Sequence, residues 1–326
     1  MKTSIENQTT DCATLQRFSL SGETMGTRYT ALFFADSQRD EATIANSLFA
    51  AVDQVDKQMS SWKDDSDLSR LNAWPVGQWL DVQAEFVTVL TTALDISRQS
   101  DGAFDIGVGD LVRAWGFGPG LGQADAEEIA ALAVHTRPST SASLEIDQHH
   151  KRVRKLDAIH LDLAGIAKGF GVDQLARSLE QQGISNYLVG IDGEMRASGL
   201  KPDGKAWAVA IEKPIRGVRE VMGVMELSDI AIATSGDYRH WVNLAGQDYS
   251  HTMHPSMGRP LQGNLTAVTV LDSSCMIADA WATILLVLGE QAGPELAKQR
   301  GMDALFIVRD GAGFREISVV GGQLQA

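Results

Sequence analysis

Apolar residues recur along the chain at two different spacings, which predict an alternation of helices and strands. Within Glu41–Met59, the residues Ile44, Leu48, Val52 and Val55 are three or four positions apart, the period of an amphipathic helix. Similar spacing predicts further helices over residues 85–99, 123–135, 167–182 and 277–289. Alternating or short continuous apolar runs predict strands over residues 29–34, 187–191, 206–211, 219–227 and 266–271. The alternation of the basic run KRVRK, residues 151–155, is typical of an exposed strand.

Nothing in the sequence divides the chain into separate domains. No fixed-period repeat is present, and no Pro- or Ser-rich linker interrupts the elements. A stretch with seven glycines, residues 102–122, shows almost no periodicity. We therefore predict a polar tail over residues 1–17 and a single folded unit over residues 18–326, whose two lobes close on a cleft.

The composition argues against several classes of partner. The 326 residues include 28 Lys and Arg against 42 Asp and Glu, a net charge of −14. Nucleic acids and anionic membranes are bound by clustered positive charge, so neither is expected. Cys12 and Cys275 lie far apart and form no C-x-x-C pair, which argues against a disulfide framework and a thiolate zinc site.

The first residues lack the features of a targeting segment. Residues 1–17 contain no apolar core of a secretory signal, and Cys12 follows Thr-Thr-Asp rather than a small apolar run. No stretch of 18 apolar residues occurs, so no transmembrane helix is expected. The sequence thus predicts a soluble chain and leaves its compartment open.

Several common catalytic motifs are missing from the sequence. It contains no G-x-x-x-x-G-K-[ST] phosphate loop, no G-x-S-x-G elbow and no H-E-x-x-H motif. The glycines between Gly116 and Gly122 do not follow the G-x-G-x-x-G spacing, and Pro119 opposes a helix start. A Rossmann dinucleotide site is therefore not supported.

Asp279 and Thr283 are the first candidate metal ligands. They stand four residues apart in a predicted helix and so share one of its faces. A carboxylate and a hydroxyl offer two hard oxygens to one cation, which favours Mg²⁺ or Ca²⁺ over zinc. The alternative is that Asp279 caps the helix and Thr283 is simply packed.

Two further segments carry candidate chemistry. Between a strand and a helix, Gly165 offers a carbonyl to a metal and Lys168 a charge to a phosphate, although a turn glycine and a surface lysine would give the same pattern. Residues 234–239 (TSGDYR) are followed by His251, which precedes Pro255 in a loop. A single histidine is usually a structural donor, but loops of this kind often carry function.

Taken in order, nine segments resemble the ApbE family of FAD:protein FMN transferases. They run over nearly the whole chain, from about residue 20 to residue 290. Together they carry the resemblance: 23–27 (ETMGT), 59–62 (MSSW), 67–72 (DLSRLN), 102–105 (GAFD), 115–118 (WGFG), 162–169 (DLAGIAKG), 233–239 (ATSGDYR), 250–251 (SH) and 278–283 (ADAWAT).

The resemblance implies both a fold and an activity. The fold would be α+β, with mixed sheets, flanking helices and two lobes around a central cleft. FAD would be cut at its pyrophosphate, its FMN half transferred to a Thr or Ser hydroxyl of a target flavoprotein, and AMP released. The family's targets are subunits of redox pumps or electron-transfer proteins.

The resemblance also implies the site residues. Gly165 (through its carbonyl), Asp279 and Thr283 would hold Mg²⁺, and His251 would be the base for the acceptor hydroxyl, so that His251 and Asp279 are the catalytic pair. The FAD site would be lined by Met25, Trp62, Ala103, Phe104, Asp105, Asp162, Lys168 and Met253.

The sequence departs from the family pattern in three places. His254 stands where the family usually has a carboxylate, which changes the local charge. Ala282 stands where some members carry a second Asp, and the lipoprotein signal common in the family is missing. Two other functions remain open: Mg²⁺-dependent FAD pyrophosphatase activity, with water as acceptor, and non-catalytic FAD binding, for which no base is needed.

Overall fold

The computed structural model describes residues 15–118, 122–133, 137–239 and 241–325. Within them the α-helices are α1 (Glu41–Met59), α2 (Asp67–Ala73), α3 (Ala84–Gln99), α4 (Gly109–Ala114), α5 (Ala126–Ala133), α6 (Thr140–Ser143), α7 (Ala167–Gln181) and α8 (Cys275–Gln299). A short 3₁₀ turn, Ile106–Val108, precedes α4.

Strands make up the rest of the regular structure. They are β1 (Leu15–Thr24), β2 (Thr27–Asp36), β3 (Leu80–Asp81), β4 (Leu144–Asp147), β5 (Arg152–Lys155), β6 (Asn186–Ile191), β7 (Glu194–Ser198), β8 (Trp207–Glu212), β9 (Val221–Leu227), β10 (Ile230–Gly236), β11 (Trp241–Leu244), β12 (Gln247–Ser250), β13 (Met253–His254), β14 (Arg259–Pro260), β15 (Leu265–Asp272), β16 (Asp303–Asp310), β17 (Gly313–Val320) and β18 (Gln323–Leu324).

Nine strands form one large sheet in the order β1-β2-β6-β7-β10-β15-β16-β17-β18. Every strand pair in the described residues is antiparallel, including those of the small sheet β3-β5-β4 and of the hairpins β8-β9, β11-β12 and β13-β14. Antiparallel sheets with helices packed on them define the α+β class. The predicted fold class is confirmed.

The helices bury their apolar stripes against the large sheet. The predicted stripe of α1 is buried: Ile44, Leu48 and Val52 pack in one core with Phe33 and Tyr187 of the sheet, and Val55 belongs to a second core. This second core joins α3, through Phe86 and other residues, with α8 and the middle strands of the sheet. Since α3 and the small sheet share this core with α8, no linker separates them from the rest of the fold.

Most of the predicted elements are confirmed, with shifted ends. Helix α1 has the predicted bounds, whereas α8 begins two residues earlier than expected and continues ten residues further, past a kink at Gly289 with φ 79°. Strand β1 begins at Leu15, so the last three residues of the predicted tail belong to the sheet. Residues 1–14 lie outside the described residues, and the single unit over 18–326 stays a prediction.

One prediction of local structure is wrong, and one stretch without a predicted element contains a helix. The run 151–155 is not an exposed strand: β5 is the middle strand of its sheet, and its Val153 and Lys155 are buried. The glycine-rich stretch 102–122 contains the helix α4, whose Leu111 packs against Trp115. Residues 119–121 of that stretch, and residues 134–135 of the helix predicted over 123–135, lie outside the described residues.

By length and composition alone, one helix in the described part of the chain, α8, is apolar enough to cross a membrane. Its central residues Ile284 and Leu285 are fully buried in the protein core. The apolar character of α8 is therefore accounted for by its position beneath the large sheet.

Asn72, at the end of α2, holds the segment that leads to Asp162. Its side-chain amide donates to the carbonyl of Leu161 at 2.9 Å and its side-chain oxygen accepts the Leu161 N–H at 2.7 Å. The buried Lys155 donates to the Asn72 carbonyl at 2.5 Å. The Asn72 side chain thus satisfies both backbone groups of a buried residue.

Replacing Asn72 with Ala should lower the free energy of unfolding by about 2–3 kcal/mol, because it leaves the two backbone groups of Leu161 without these partners. Urea denaturation followed by circular dichroism measures the loss. Asn264→Ala, at an exposed position, is the matched control and should change stability by less than about 0.5 kcal/mol. Equal stability of the two variants would contradict the role given to Asn72.

Candidate active site

The N-terminus of α8 is fixed by a buried carboxylate on α7. Asp173 accepts hydrogen bonds from the backbone N–H groups of Cys275 (3.1 Å) and Met276 (3.0 Å) and from the Ser274 hydroxyl (2.7 Å). Arg196 of β7 pairs with the same carboxylate at 2.7 Å. Negative charge at a helix N-terminus is favourable, and here it sets the position of α8 against α7.

The two helices approach closely enough for Asp279 to reach the start of α7. Its Oδ2 accepts the backbone N–H of Gly169 at 3.0 Å. A Cβ at Gly169 would overlap the carbonyl of Cys275, so this crossing requires glycine. Asp279 is 3% exposed and lies directly beside the residue that follows Lys168.

The predicted metal ligands come together at this crossing. A Cβ at Gly165 would lie 3.1 Å from Thr283 Oγ1 and 3.3 Å from Phe104 Cε2. Thr283 Oγ1 donates to the Asp279 carbonyl at 3.3 Å and lies 3.0 Å from the hydroxyl of Ser235. Gly165, Asp279 and Thr283 therefore lie close together at this crossing, and we refer to them as the oxygen cluster; their role as metal ligands stays a prediction.

Lys168 lies at the edge of this cluster in a group of carboxylates. Its Nζ is 2.6 Å from Glu194 Oε1 and 3.9 Å from Asp192 Oδ2. Burial by itself disfavours the ammonium, but the carboxylates, first of all Glu194, outweigh it and raise the pKa of Lys168 above its usual value. The side chain is thus a fixed positive charge next to the oxygen donors.

The surroundings of the Asp279 carboxyl disfavour its negative charge. Burial, and then the negative charge of Glu194, raise the pKa of Asp279 well above the usual range of a carboxyl, while Lys168 and the Gly169 N–H lower it. A divalent cation at the oxygen cluster would compensate both carboxylates.

The proposed metal ligands fit a hard cation. Among the described residues, no group of three or more His, Cys, Asp or Glu side chains is placed to hold a metal. The cluster at the α7–α8 crossing is of another kind, because it combines one carboxylate with a hydroxyl and a backbone carbonyl. Oxygen donors of this type suit Mg²⁺ or Ca²⁺.

Of the predicted FAD-site residues, Phe104 lies beside the oxygen cluster, and Asp105 and Asp162 are close to Phe104 and Gly165 in sequence. Phe104 is buried and its ring faces Gly165. The Asp105 carboxylate accepts the Gly107 N–H at 2.8 Å and also the Thr140 hydroxyl, so it orders its own loop. Burial raises the pKa of Asp162, partly offset by the N–H of Ala164.

Met25 lies against α7 at Gly171, and Trp62 lies on the surface just after α1. Met25 has φ 46° at the tip of the β1–β2 hairpin, and its Cε would be 2.8 Å from a Cβ at Gly171 of α7. It lines a cavity of about 700 Å³ together with Phe49 and Lys63. Trp62, just after α1, is 66% exposed, so its ring is open to stacking and has no place in the core.

His251 and Met253 lie on the segment between β12 and β14. The His251 ring meets the edge of Phe117 with centroids 6.3 Å apart, and Met253 is buried against Trp115. Met253 belongs to a small core with Leu111, Trp115 and Val242, distinct from the core that contains Phe104 and Ala167, and the roles of His251 and Met253 stay predictions.

His254, the residue that departs from the family pattern, lines a second cavity of about 460 Å³ with Ala103 and Leu288. Its Nδ1 lies 3.3 Å from Ser256 Oγ and 3.4 Å from the Met257 N. Burial and then Arg259 lower the pKa of His254, which favours the neutral imidazole.

Several residues of the site could not be found by sequence reasoning. No sequence pattern singles out Glu194, Asp192 or Asp173, and Ser235 stands out only as part of the segment 234–239. Each acts through a contact with a residue that is distant in sequence, such as Asp173 with Cys275. The one available signal was that Asp192 and Glu194 flank a glycine directly after a buried strand.

Comparison with known proteins gives a consistent result. Residues 25–306 match the model of the ApbE family. The chain is 38% identical to an FAD:protein FMN transferase of Vibrio cholerae, over 92% of this chain and 90% of the relative. It is 34% identical to one of Escherichia coli K12, over 91% and 85%.

Solved structures agree with the fold. The flavin transferase ApbE of Vibrio cholerae superposes with a TM-score of 0.81 at 38% identity, covering 93% of this chain and 97% of that one. The apo flavinyl transferase ApbE of Pseudomonas stutzeri superposes with a TM-score of 0.81 at 36% identity, covering 94% and 96%. With the family model matching most of its length, this chain belongs to the ApbE family.

Proposed function

We propose that this protein is an FAD:protein FMN transferase that uses Mg²⁺ to move the FMN half of FAD onto a Thr or Ser hydroxyl of a flavoprotein, with release of AMP. The observation that carries the proposal is the oxygen cluster of Gly165, Asp279 and Thr283 beside the ammonium of Lys168. Relatives with the same fold are named for this activity.

The oxygen cluster would hold the magnesium ion through the carbonyl of Gly165, the carboxylate of Asp279 and the hydroxyl of Thr283. When bound, the ion would neutralise charge on the pyrophosphate and favour departure of the AMP phosphate. Lys168 adds a positive charge that does not depend on metal. Ser235 holds the Thr283 hydroxyl in place from β10.

In the proposed step, His251 takes the proton of the acceptor hydroxyl. The hydroxyl oxygen then forms a bond to the phosphorus of the FMN half as the bond from that phosphorus to the bridging oxygen breaks, and AMP leaves with the electron pair. Neutral imidazole is suited to this task near pH 7. Lys168 stabilises the negative charge that builds up on the phosphate oxygens.

Two cavities are each lined in part by a predicted FAD-site residue, and we assign them to the two ends of the dinucleotide. One contains Met25, which contacts α7 at Gly171, and the other contains Ala103, next to the Phe104 that faces Gly165. Their volumes, about 700 and 460 Å³, are within the range of small-molecule sites. If the pyrophosphate of FAD is bound at the oxygen cluster, the flavin would occupy one cavity and the adenine the other.

The deciding experiment is incubation of the protein with FAD, Mg²⁺ and an acceptor flavoprotein domain from the same organism. Mass spectrometry of the acceptor and chromatography of the nucleotides follow the reaction. A gain of one FMN on the acceptor with release of AMP is the expected result, and an acceptor whose target Thr is replaced by Val should gain nothing. Free FMN plus AMP would instead indicate a pyrophosphatase, and unchanged FAD a binding protein.

A further inference from the structure

Glu194 is buried beside the oxygen cluster, and only one of its two carboxylate oxygens has a partner. The residue is 2% exposed. Its Oε1 accepts the Lys168 ammonium at 2.6 Å, whereas its Oε2 has no hydrogen-bond partner among the described residues. A buried carboxylate oxygen without a donor is unfavourable, so a native protein normally provides a water or an ion there.

The backbone holds the Glu194 side chain in a fixed place. Glu194 begins β7 and pairs with Ile191 across a tight turn in which Asp192 has φ 53°. Asp192 is held by Arg239 at 2.8 Å. The turn therefore fixes the position of Glu194 within the large sheet, with its side chain toward α7. The position of the unpartnered oxygen is set by the same backbone.

Glu194 is also close to the proposed metal ligands. Lys168, to which it is bound, precedes Gly169, and the N–H of Gly169 is donated to Asp279. When Glu194, Lys168 and Asp279 are all ionised, they leave one negative charge uncompensated. The group is therefore suited to a cation whose positive charge is shared by both carboxylates.

The coordination chemistry of magnesium gives the unpartnered oxygen a role. Magnesium takes six oxygen ligands and keeps several of its waters. The proposed function provides three protein oxygens, so the other positions belong to waters or to substrate phosphate. Metal-bound ligands are normally oriented by acceptors in the surrounding protein.

We propose that Glu194 is a positioning residue of this site, whose Oε1 fixes the Lys168 ammonium and whose Oε2 accepts a hydrogen bond from a water on the bound magnesium. This inference rests on the proposed function. In this role Glu194 does not bind the cation directly. It raises the affinity of the site for Mg²⁺ and orients the Lys168 ammonium that contacts the phosphate.

Glu194→Gln tests the proposed contact between Glu194 and the magnesium-bound water, because the amide keeps the shape and one acceptor but removes the charge. We expect the Mg²⁺ concentration that half-activates transfer to rise by about 10–100-fold, the usual cost of losing such a partner. Mg²⁺ alone should also raise the melting temperature of the variant less than that of the parent protein. Glu226→Gln, the same change at an exposed position on β9, should match the parent in both measurements.

Glu194→Ala and Lys168→Met test whether Glu194 holds the Lys168 ammonium in place. At saturating Mg²⁺, Glu194→Ala should raise the KM for FAD, because it releases the ammonium from its fixed position. In the Lys168→Met background the same replacement should leave that KM unchanged, since no ammonium remains to be held. Its effect on the Mg²⁺ requirement should persist in both backgrounds.

The outcomes separate this inference from the proposed function. If the parent protein transfers FMN but Glu194→Gln has a normal Mg²⁺ requirement and a normal Mg²⁺-induced rise in melting temperature, Glu194 is not a positioning residue. A lower metal-free melting temperature with an unchanged Mg²⁺ response would show a structural role only. A parent protein that transfers no FMN to any acceptor tested would instead overturn the proposed function itself, whatever Glu194 does in Mg²⁺ binding.

Discussion

Asp279→Asn should reduce FMN transfer by about 10²–10³-fold, because it removes the only charged ligand proposed for the magnesium ion. Charge stabilisation by a catalytic metal contributes several kcal/mol to the transition state, which corresponds to a loss of this size. The amide oxygen can still accept the N–H of Gly169, so the contact between α7 and α8 should survive. The rate of acceptor flavinylation at saturating FAD measures the effect.

The control for this prediction is Asp95→Asn, an exposed carboxylate on α3 that pairs with Arg98. It should transfer FMN at the parent rate, and both variants should unfold at similar temperatures. FAD should still bind Asp279→Asn, since its rings do not depend on the metal. Near-parent activity of Asp279→Asn in Mg²⁺ would remove Asp279 from the metal site.

Acidic pH should weaken the metal site. The pKa of Asp279 is raised by burial and by Glu194, so at low pH the metal-free carboxyl holds a proton that the cation must displace. We expect the Mg²⁺ concentration needed for half-activation to increase as the pH falls below neutrality. A requirement independent of pH would contradict this placement of the two carboxylates.

Asp279 and Thr283 could be proposed as metal ligands from the sequence because their geometry is largely local. Asp279 and Thr283 are one helical turn apart, and their spacing alone puts both oxygens on one face of α8. The sequence also offered the Gly165 carbonyl to a metal, but only the family resemblance grouped it with Asp279 and Thr283, since its place next to Thr283 depends on the crossing of α7 and α8. The amphipathic helices could be predicted for a similar reason: α1 has the predicted bounds because one stripe of it faces the sheet.

Contacts between segments that are distant in sequence could not be predicted. Asp173 fixes the start of α8 from 102 residues earlier in the chain, and no local pattern indicates this contact. The run 151–155 alternates like a surface strand, yet Lys155 is buried because its ammonium reaches the Asn72 carbonyl. A charged side chain on a strand can be buried when a distant segment provides a partner for it, and the sequence does not reveal that partner.

His251→Ala should slow FMN transfer by about 10²–10⁴-fold, the usual effect of losing a general base. The reason is that the acceptor hydroxyl is a poor nucleophile unless its proton is taken as the bond to phosphorus forms. FAD affinity, measured by calorimetry, should change little, because the imidazole acts on the acceptor rather than on the flavin. His149→Ala, at an exposed turn between β4 and β5, is the matched control and should leave the rate unchanged.

A structural role for His251 predicts a different set of results. The ring packs against the edge of Phe117, so a merely structural histidine would lower the melting temperature and the FAD affinity along with the rate. A base is distinguished by partial rescue with added imidazole and by loss of the acidic limb of the pH–rate profile. His254→Ala should be much milder, since His254 occupies a family carboxylate position and faces the second cavity. A fully active His251→Ala enzyme would show that another group takes the proton of the acceptor hydroxyl.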